Sequence, residues 1–275
     1  FPNMSDIPTV VLAGQMSTPR ARWLAEQLTT DWKIESWGED EPFERFAELI
    51  VQADAMVGGR IKGKWPAIPN LRLYQVPFTG YEFITPADLP TGGTLCNAYG
   101  HEIAIAEFIM AGMLEWSIGL SKYDRDFREQ GWQGRVPGIG PSHGELSGKT
   151  LGIIGYGHIG KATAERAAAF GMRVIATNRT VWAAPPPLER LDGLDQLNRL
   201  LEESDFVLMT LPTTPETRGM IDTEQFNHMK SDAVLINVGR APVIAEEALY
   251  NALAKNCIGG AFLDVWYGYP TAKDP

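Results

Sequence analysis

Leu151-Gly152-Ile153-Ile154-Gly155-Tyr156-Gly157-His158-Ile159-Gly160 is the stretch on which the reading of this 275-residue chain turns. The apolar run before Gly155 suits a buried parallel strand, and the Ala-rich run from Lys161 to Phe170 suits a helix. Between them stands Gly155-x-Gly157-x-x-Gly160. The first glycine permits a tight strand-to-helix turn, the second lets backbone approach a pyrophosphate, and the third lets helix and strand pack closely. Free N–H groups and the positive dipole end of the helix then attract an anion without a basic side chain. Glycine turns in unrelated folds match the same spacing, so the surroundings have to decide.

Outward from this turn the chain alternates apolar runs with amphipathic ones, the rhythm of α/β structure. Downstream, strands are expected at 172–178, 206–211, 233–238 and 258–265, with helices at 194–203, 222–229 and 245–255. A strand, glycine turn, helix and second strand within this span make a dinucleotide-binding unit. Position 178 then becomes informative, because an Asp or Glu at about this distance binds the ribose hydroxyls of NAD. The chain has Asn178-Arg179-Thr180 there. Asn tolerates a 2′-phosphate and a neighbouring Arg can pair with it, so NADP(H) is favoured. NAD(H) stays open if Arg179 only stacks on adenine.

Upstream, strands are expected at 9–13, 33–37, 55–59, 71–76 and 94–97, and helices at 19–28 and 42–53, with Pro19 and Pro42 as early helical residues. This gives two doubly wound α/β domains: residues 1–97, and residues 98–275 with the dinucleotide unit. A long apolar helix is expected from Glu102 to Tyr123, followed by an irregular connection from Phe127 to Gly148 in which Trp132 packs. Pro185-Pro186-Pro187 reads as a stiff surface turn.

Composition narrows the function. A net charge of −10 and a pI near 5.0 argue against nucleic-acid or anionic-membrane binding, which need clustered Lys and Arg. Cys96 and Cys257 each lie in an apolar stretch and read as buried thiols in a reducing, cytoplasmic compartment. No run of about 20 apolar residues and no basic-apolar leader suggests a membrane span or secretion. Phe1-Pro2-Asn3, ahead of Met4, is set aside as an appended tag. His and Cys do not cluster, so no metal is expected, and Ser142-His143 has no third partner for a hydrolase triad.

Several segments in order resemble the D-isomer-specific 2-hydroxyacid dehydrogenases, which include formate dehydrogenases and glyoxylate/hydroxypyruvate reductases. They are Gly155 to Gly160, Leu211-Pro-Thr-Thr-Pro-Glu-Thr217, Met229-Lys230 with Leu235-Ile-Asn-Val-Gly-Arg240, and Gly260-Ala-Phe-Leu-Asp264-Val-Trp266. The resemblance covers nearly the whole chain. It implies a flavodoxin-like substrate domain, an inserted NAD(P)-binding Rossmann domain, a cleft between them, a small 2-oxo or 2-hydroxy acid of D configuration as substrate, and a homodimer formed through the crossing helix.

Site residues follow from the same resemblance. Arg240 would hold the substrate carboxylate and polarise the reacting oxygen. Thr79 and Gly80, in Pro77-Phe-Thr-Gly-Tyr81, match the loop whose N–H groups bind the carboxylate. Asn97 matches an Asn at the cleft mouth, with capping of the crossing helix as its competing role. Gly155, Tyr156, Gly157, His158, Ile159 and Gly160 would meet the cofactor phosphates, and Asn178, Arg179 and Thr180 its ribose. Leu211, Pro212, Thr213 and Thr217, with Val238 and Gly239, would line the cofactor cleft, although Thr217 also suits a helix cap. Asp264 would bind the nicotinamide carboxamide. Tyr81, Tyr99 and Tyr269 could shape the substrate end or simply pack.

Three departures stand out. The Glu that normally supports the general-acid His would fall at 269, where this chain has Tyr269, which brings no negative charge at neutral pH. The His itself is expected in a Thr-Pro-His-like segment past this point, and His101, His143, His158 and His228 all belong to other motifs, so the C-terminal end of the domain is expected to be missing from this sequence. Ala241 stands where Gly usually follows the arginine. Formate oxidation, suggested by Cys96-Asn97 and Asp264-Val-Trp266, is one alternative reading. A cofactor-sensing, non-catalytic binding protein is another.

Overall fold

The computed structural model describes residues 7–131 and 143–269. Phe1-Pro2-Asn3, Trp132 and Ser142 lie outside the described residues. The chain divides into two compact units, Phe1–Gly100 and His101–Pro275.

In the first unit five strands, β1 (Thr9–Ala13), β2 (Lys33–Trp37), β3 (Ala55–Gly58), β4 (Leu73–Gln75) and β5 (Thr94–Cys96), form one parallel sheet in the order β2-β1-β3-β4-β5. This is the flavodoxin-like order. Strand period 2 sends Val11, Ala13, Met56 and Tyr74 into one core and Val10, Leu12 and Ala55 into the other. Helix α2 (Phe43–Val51) covers the first of these faces with Phe46, Leu49 and Ile50, and α1 (Ala21–Gln27) precedes β2. Pro42 is not inside its helix as expected. It is the N-cap of α2, with ψ of 142°, because its ring suits the extended entry as well as a first turn. Pro19 sits in a three-residue 3₁₀ turn, Thr18–Arg20, ahead of α1.

The second unit opens with α3 (Glu102–Ile118) and α4 (Leu120–Gln130). Sequence periodicity suggested one helix to Tyr123 and irregular chain from Phe127. Instead Gly119, left-handed at φ 71°, ends α3, the two helices bend by 50°, and α4 continues to Gln130. The remaining elements alternate: β6 (Thr150–Ile154), α5 (His158–Ala169), β7 (Arg173–Thr177), β8 (Arg190–Asp192), α6 (Leu197–Glu203), β9 (Phe206–Met209), α7 (Thr223–His228), β10 (Val234–Asn237), α8 (Glu246–Ala254) and β11 (Gly260–Leu263). All pair in parallel in the order β11-β10-β9-β6-β7-β8, so strand order reverses on either side of β6. Every residue of β6, β9 and β10 is buried, as a sheet covered on both faces requires. β8 was not foreseen; its three residues are flanked and filled by charge, so no apolar run announces it.

One device recurs in both units. Asp54, just before β3, accepts the N–H of Thr9 at 2.9 Å and returns its own N–H to the Thr9 carbonyl at 2.9 Å. Asp205, just before β9, does the same to Thr150, at 2.7 and 2.9 Å. Each carboxylate satisfies the first donor of a central strand where no ladder partner exists. The two cysteines differ from the buried thiols expected: Cys96 is half-buried and Cys257 exposed. Cys257 follows the end of α8, where the chain leaves the helix surface before β11 begins.

Candidate active site in the second unit

The turn between β6 and α5 is built from three glycines under different constraints. Gly155 has φ +99°, and a Cβ there would lie 2.9 Å from Leu211 Cδ2. Thr210 locks the turn by donating its hydroxyl to the Gly155 carbonyl at 2.6 Å. A Cβ on Gly160 would lie 2.7 Å from that same carbonyl, so α5 reaches the strand end only because Gly160 has no side chain. Gly157 differs: a Cβ there would meet no protein atom within 4 Å. Gly157 is also the N-cap of α5, and no side chain caps that end. The helix therefore presents uncapped N–H groups to an open space at the point where strand order reverses, which fits a bound pyrophosphate. The flanking residues divide. His158 is exposed and Ile159 half-buried, but Tyr156 is 3% exposed and its ring packs in the core, so only its backbone faces the turn.

At the end of β7, Asn178 is half-buried and donates from Nδ2 to the Thr180 carbonyl at 3.1 Å, while Arg179 and Thr180 are exposed. The amide thus holds the turn that carries the Arg179 guanidinium. Sequence reasoning missed a negative charge that the Arg179 guanidinium feels. Glu216 lies in the loop after β9, and its carboxyl is held below the usual range by a hydrogen bond from Thr214, with its own backbone N–H and the Arg179 charge adding to the effect. The only sequence signal was its place in the Thr-Pro-Glu-Thr run.

The same loop shows what Thr217 bonds to. Its hydroxyl donates to the Pro212 carbonyl at 2.7 Å and accepts the Thr214 N–H at 2.8 Å, and the residue is 8% exposed. It closes the 212–217 loop and caps no helix; α7 is capped by Asp222. Pro212 is exposed and Leu211 packs over Gly155. The Thr213 hydroxyl is buried with no hydrogen-bond partner, an orphan beside the glycine turn's neighbours.

After β10 the chain turns sharply through Val238 and Gly239. A Cβ on Gly239 would come within 2.6 Å of the Leu211 carbonyl, so only glycine lets the two loops touch. Val238 is 6% exposed and belongs to the core, leaving only its backbone towards the site. Asn237, 1% exposed, clamps the turn: its Oδ1 accepts the Gly239 N–H at 3.1 Å and its Nδ2 donates to the Arg240 carbonyl at 3.1 Å. Sequence reasoning did not assign Asn237, although a polar residue ending the apolar run 234–236 was a usable signal. Arg240 is half-buried and its Nη1 donates to the Gly239 carbonyl at 2.9 Å. The N–H of Asp264 donates to the Asn237 carbonyl at 3.0 Å, placing Asp264, which is exposed, beside the same clamp. Ala241 is 4% exposed and starts a short 3₁₀ turn, Ala241–Val243. Tyr269 is 65% exposed, and its hydroxyl accepts the Trp266 N–H at 3.4 Å.

In the first unit, Asn97 donates from Nδ2 to the Thr79 carbonyl at 2.8 Å, and the Thr79 hydroxyl donates to the Ala98 carbonyl at 3.0 Å. The capping alternative for Asn97 is overturned, because the N-cap of α3 is His101. Gly80 is half-buried next to this link. Tyr81 and Tyr99 are exposed at 49% and 56%. Among the described residues no group of three or more His, Cys, Asp or Glu side chains could hold a metal ion.

Comparison with known proteins agrees with this architecture. A family profile described as "D-isomer specific 2-hydroxyacid dehydrogenase, NAD binding domain" matches residues 110–275. A glyoxylate reductase of Thermococcus kodakarensis is 33% identical over 258 residues, covering 89% of this chain and 77% of its own. A D-3-phosphoglycerate dehydrogenase of Methanocaldococcus jannaschii is 35% identical over 174 residues, covering 63% of this chain and 32% of its own. Among solved structures, a D-isomer specific 2-hydroxyacid dehydrogenase family protein from Aeromonas salmonicida superposes with a TM-score of 0.77 at 26% identity, covering 98% of this chain and 84% of its own.

Proposed function

The chain belongs to the D-isomer specific 2-hydroxyacid dehydrogenase family, a family of nicotinamide-dependent oxidoreductases, and on that premise we propose that it reduces a small 2-oxo acid to the D-2-hydroxy acid with NADP(H) favoured over NAD(H). The observation that carries this reading is the pairing, at one end of one sheet, of an open glycine turn after β6 with a clamped arginine after β10.

When bound, the nicotinamide supplies a hydride to the carbonyl carbon. Gly155, Gly157 and Gly160 hold the pyrophosphate end through backbone, since the third glycine brings the uncapped helix close and the second leaves the approach open. Asp264 orients the carboxamide. Arg240 binds the substrate carboxylate and stabilises charge on the reacting oxygen, and the Asn237 clamp fixes the backbone from which it reaches. Thr79 and Gly80 offer backbone N–H groups to the carboxylate, in a loop held by Asn97. Tyr269 lies at the substrate end. None of the four histidines, His101, His143, His158 and His228, is assigned the proton in this reading.

The preference for NADP(H) rests on Asn178 and Arg179, where a carboxylate would repel a 2′-phosphate. Homodimerisation through the crossing helix, Glu102 to Tyr123, belongs to the same reading, supported by Ile103, Phe108 and Leu120, which remain 46 to 67% exposed there. Cytoplasmic residence goes with it, in keeping with two unpaired cysteines. No single helix among the described residues is long and apolar enough to cross a membrane. The test is an assay of NADPH and NADH oxidation against glyoxylate, hydroxypyruvate, pyruvate and formate. Turnover of a 2-oxo acid with NADPH is expected, and activity with NADH alone overturns the cofactor preference.

A further inference from the structure

A parallel strand pair needs a crossover, and in doubly wound folds that crossover is normally a helix. Between β3 and β4, residues 59–72 contain none. The Gly63 and Pro66 positions, with Pro69, deny this segment a helical run. Trp65 covers part of the sheet face beside α2, its ring 5.0 Å from Phe46 and 5.9 Å from Tyr74. One indole fills less volume than a helix face. Beside it remains a cavity of about 520 Å³, walled by Ile61, Trp65, Ile68, Tyr74, Phe83 and Ile84.

The polar groups of this cavity are unequally engaged. The Tyr74 hydroxyl donates to the Gly59 carbonyl at 2.7 Å, and the Trp65 indole N–H donates to the Ile61 carbonyl at 3.3 Å. Asp88, also on the wall, accepts from the Thr85 N–H and hydroxyl at 2.7 and 2.8 Å, and these bonds hold its carboxyl below the usual range. Arg60 lines the cavity and has no hydrogen-bond or ion-pair partner among the described residues; Lys62 and Lys64, two and four positions on, have none either. Three unpaired cations within five residues stand out in a chain of net charge −10.

We propose that this cavity binds an organic anion with an aromatic body and a single carboxylate, the ring stacked between Trp65 and Phe83 and the carboxylate paired with Arg60. The volume lies in the range of small-molecule pockets, roughly 300–1,000 Å³, and aromatic and apolar side chains joined by a few placed polar groups are the usual lining of such sites. A guanidinium meets a carboxylate with two parallel bonds, which fixes the ligand's direction. Asp88 selects against a second negative charge. None of the wall residues is Thr79, Gly80 or Asn97, so the proposal does not depend on the role given to those residues.

The test uses the full chain and 3-phenylpropanoate, which lacks a 2-oxo group, titrated by calorimetry and by Trp fluorescence. Saturable one-to-one binding is expected. Arg60→Gln should weaken it at least tenfold while leaving binding of the neutral 3-phenylpropan-1-ol within twofold, and Ala67→Trp, which fills the mouth, should abolish binding of both. Equal affinity for 3-phenylpropanoate in wild type and Arg60→Gln overturns the proposal, as does binding that survives Ala67→Trp or no binding to wild type at millimolar concentration.

Discussion

Asn97 donates to the carbonyl of Thr79 at 2.8 Å, and Thr79 passes its hydroxyl on to Ala98 at 3.0 Å, so the 77–81 loop is tied to the end of β5 by two reciprocal bonds. On the proposed reading this loop presents N–H groups to a carboxylate, and such a loop has to hold its geometry before the ligand arrives. Asn97→Ala removes the donor and leaves a half-buried carbonyl unpaired, a loss of about 1–3 kcal/mol, or roughly 5- to 150-fold in affinity. The loss should appear as a raised KM for the 2-oxo acid with the cofactor KM unchanged. Asn97→Asp cannot donate to the carbonyl at neutral pH and should not rescue. A KM unchanged in both variants removes the loop from the account.

The glycines of the turn should separate in their effects. Gly157→Ala places a methyl where no protein atom lies within 4 Å, so thermal stability should stay within about 1 °C of wild type while NADPH affinity falls at least tenfold. Gly160→Ala puts a methyl 2.7 Å from a backbone carbonyl and should cost about 1–3 kcal/mol of stability. Denaturant titration and cofactor titration on both variants check this. Unchanged NADPH affinity in Gly157→Ala contradicts a pyrophosphate at the turn.

On the proposed preference for NADP(H), Glu216 competes with a 2′-phosphate for Arg179. Its carboxyl, lowered chiefly by the Thr214 hydrogen bond, is ionised at neutral pH and attracts the guanidinium that the phosphate would use. Glu216→Gln should raise the preference for NADPH over NADH by about two- to fivefold, the modest size expected of exposed charges. Arg179→Ala should lower it by more. The ratio of kcat/KM for the two cofactors is the readout, and a ratio unmoved by either change removes both residues from cofactor choice.

Acid should loosen the β7–β8–α6 corner of the second unit. Glu203 accepts from Arg190 at 3.0 Å, Arg173 at 2.7 Å and Arg199 at 3.1 Å. The Arg190 bond, opposed by partial burial and reinforced by Arg173, lowers its carboxyl to about 2. A carboxyl depressed in the folded state adds stability that is fully present above its unfolded value near 4.5 and is lost as pH falls towards 2. Asp205 adds to the same trend: burial raises its carboxyl, but the Thr150 N–H and the Lys230 ammonium outweigh it. Glu203→Gln should lower stability by about 1 kcal/mol at pH 7 and flatten the acid limb of Tm against pH. An acid limb identical to wild type contradicts the role given to the cluster.

Much of this was legible in the sequence for a physical reason. Strands buried on both faces, such as 151–154 and 234–237, are unbroken apolar runs, and the glycine spacing at 155–160 has one common structural use in that setting. The misses have reasons too. Gly119 breaks a helix whose apolar pattern runs past it, and periodicity alone does not report a left-handed residue. β8 is too short and too charged to show a period. Tyr156 and Val238 belong to site motifs, yet their side chains point into the core, because a motif fixes backbone position and not side-chain direction. Asn237 and Glu216 act through contacts made only once distant loops meet.

The most direct test is steady-state and binding measurement on Arg240→Ala. If Arg240 holds and polarises the substrate, kcat/KM for the 2-oxo acid should fall roughly 10²- to 10³-fold or more, with NADPH affinity and Tm close to wild type. A variant that keeps most of its turnover with intact cofactor binding contradicts the assignment of the reaction to this end of the sheet.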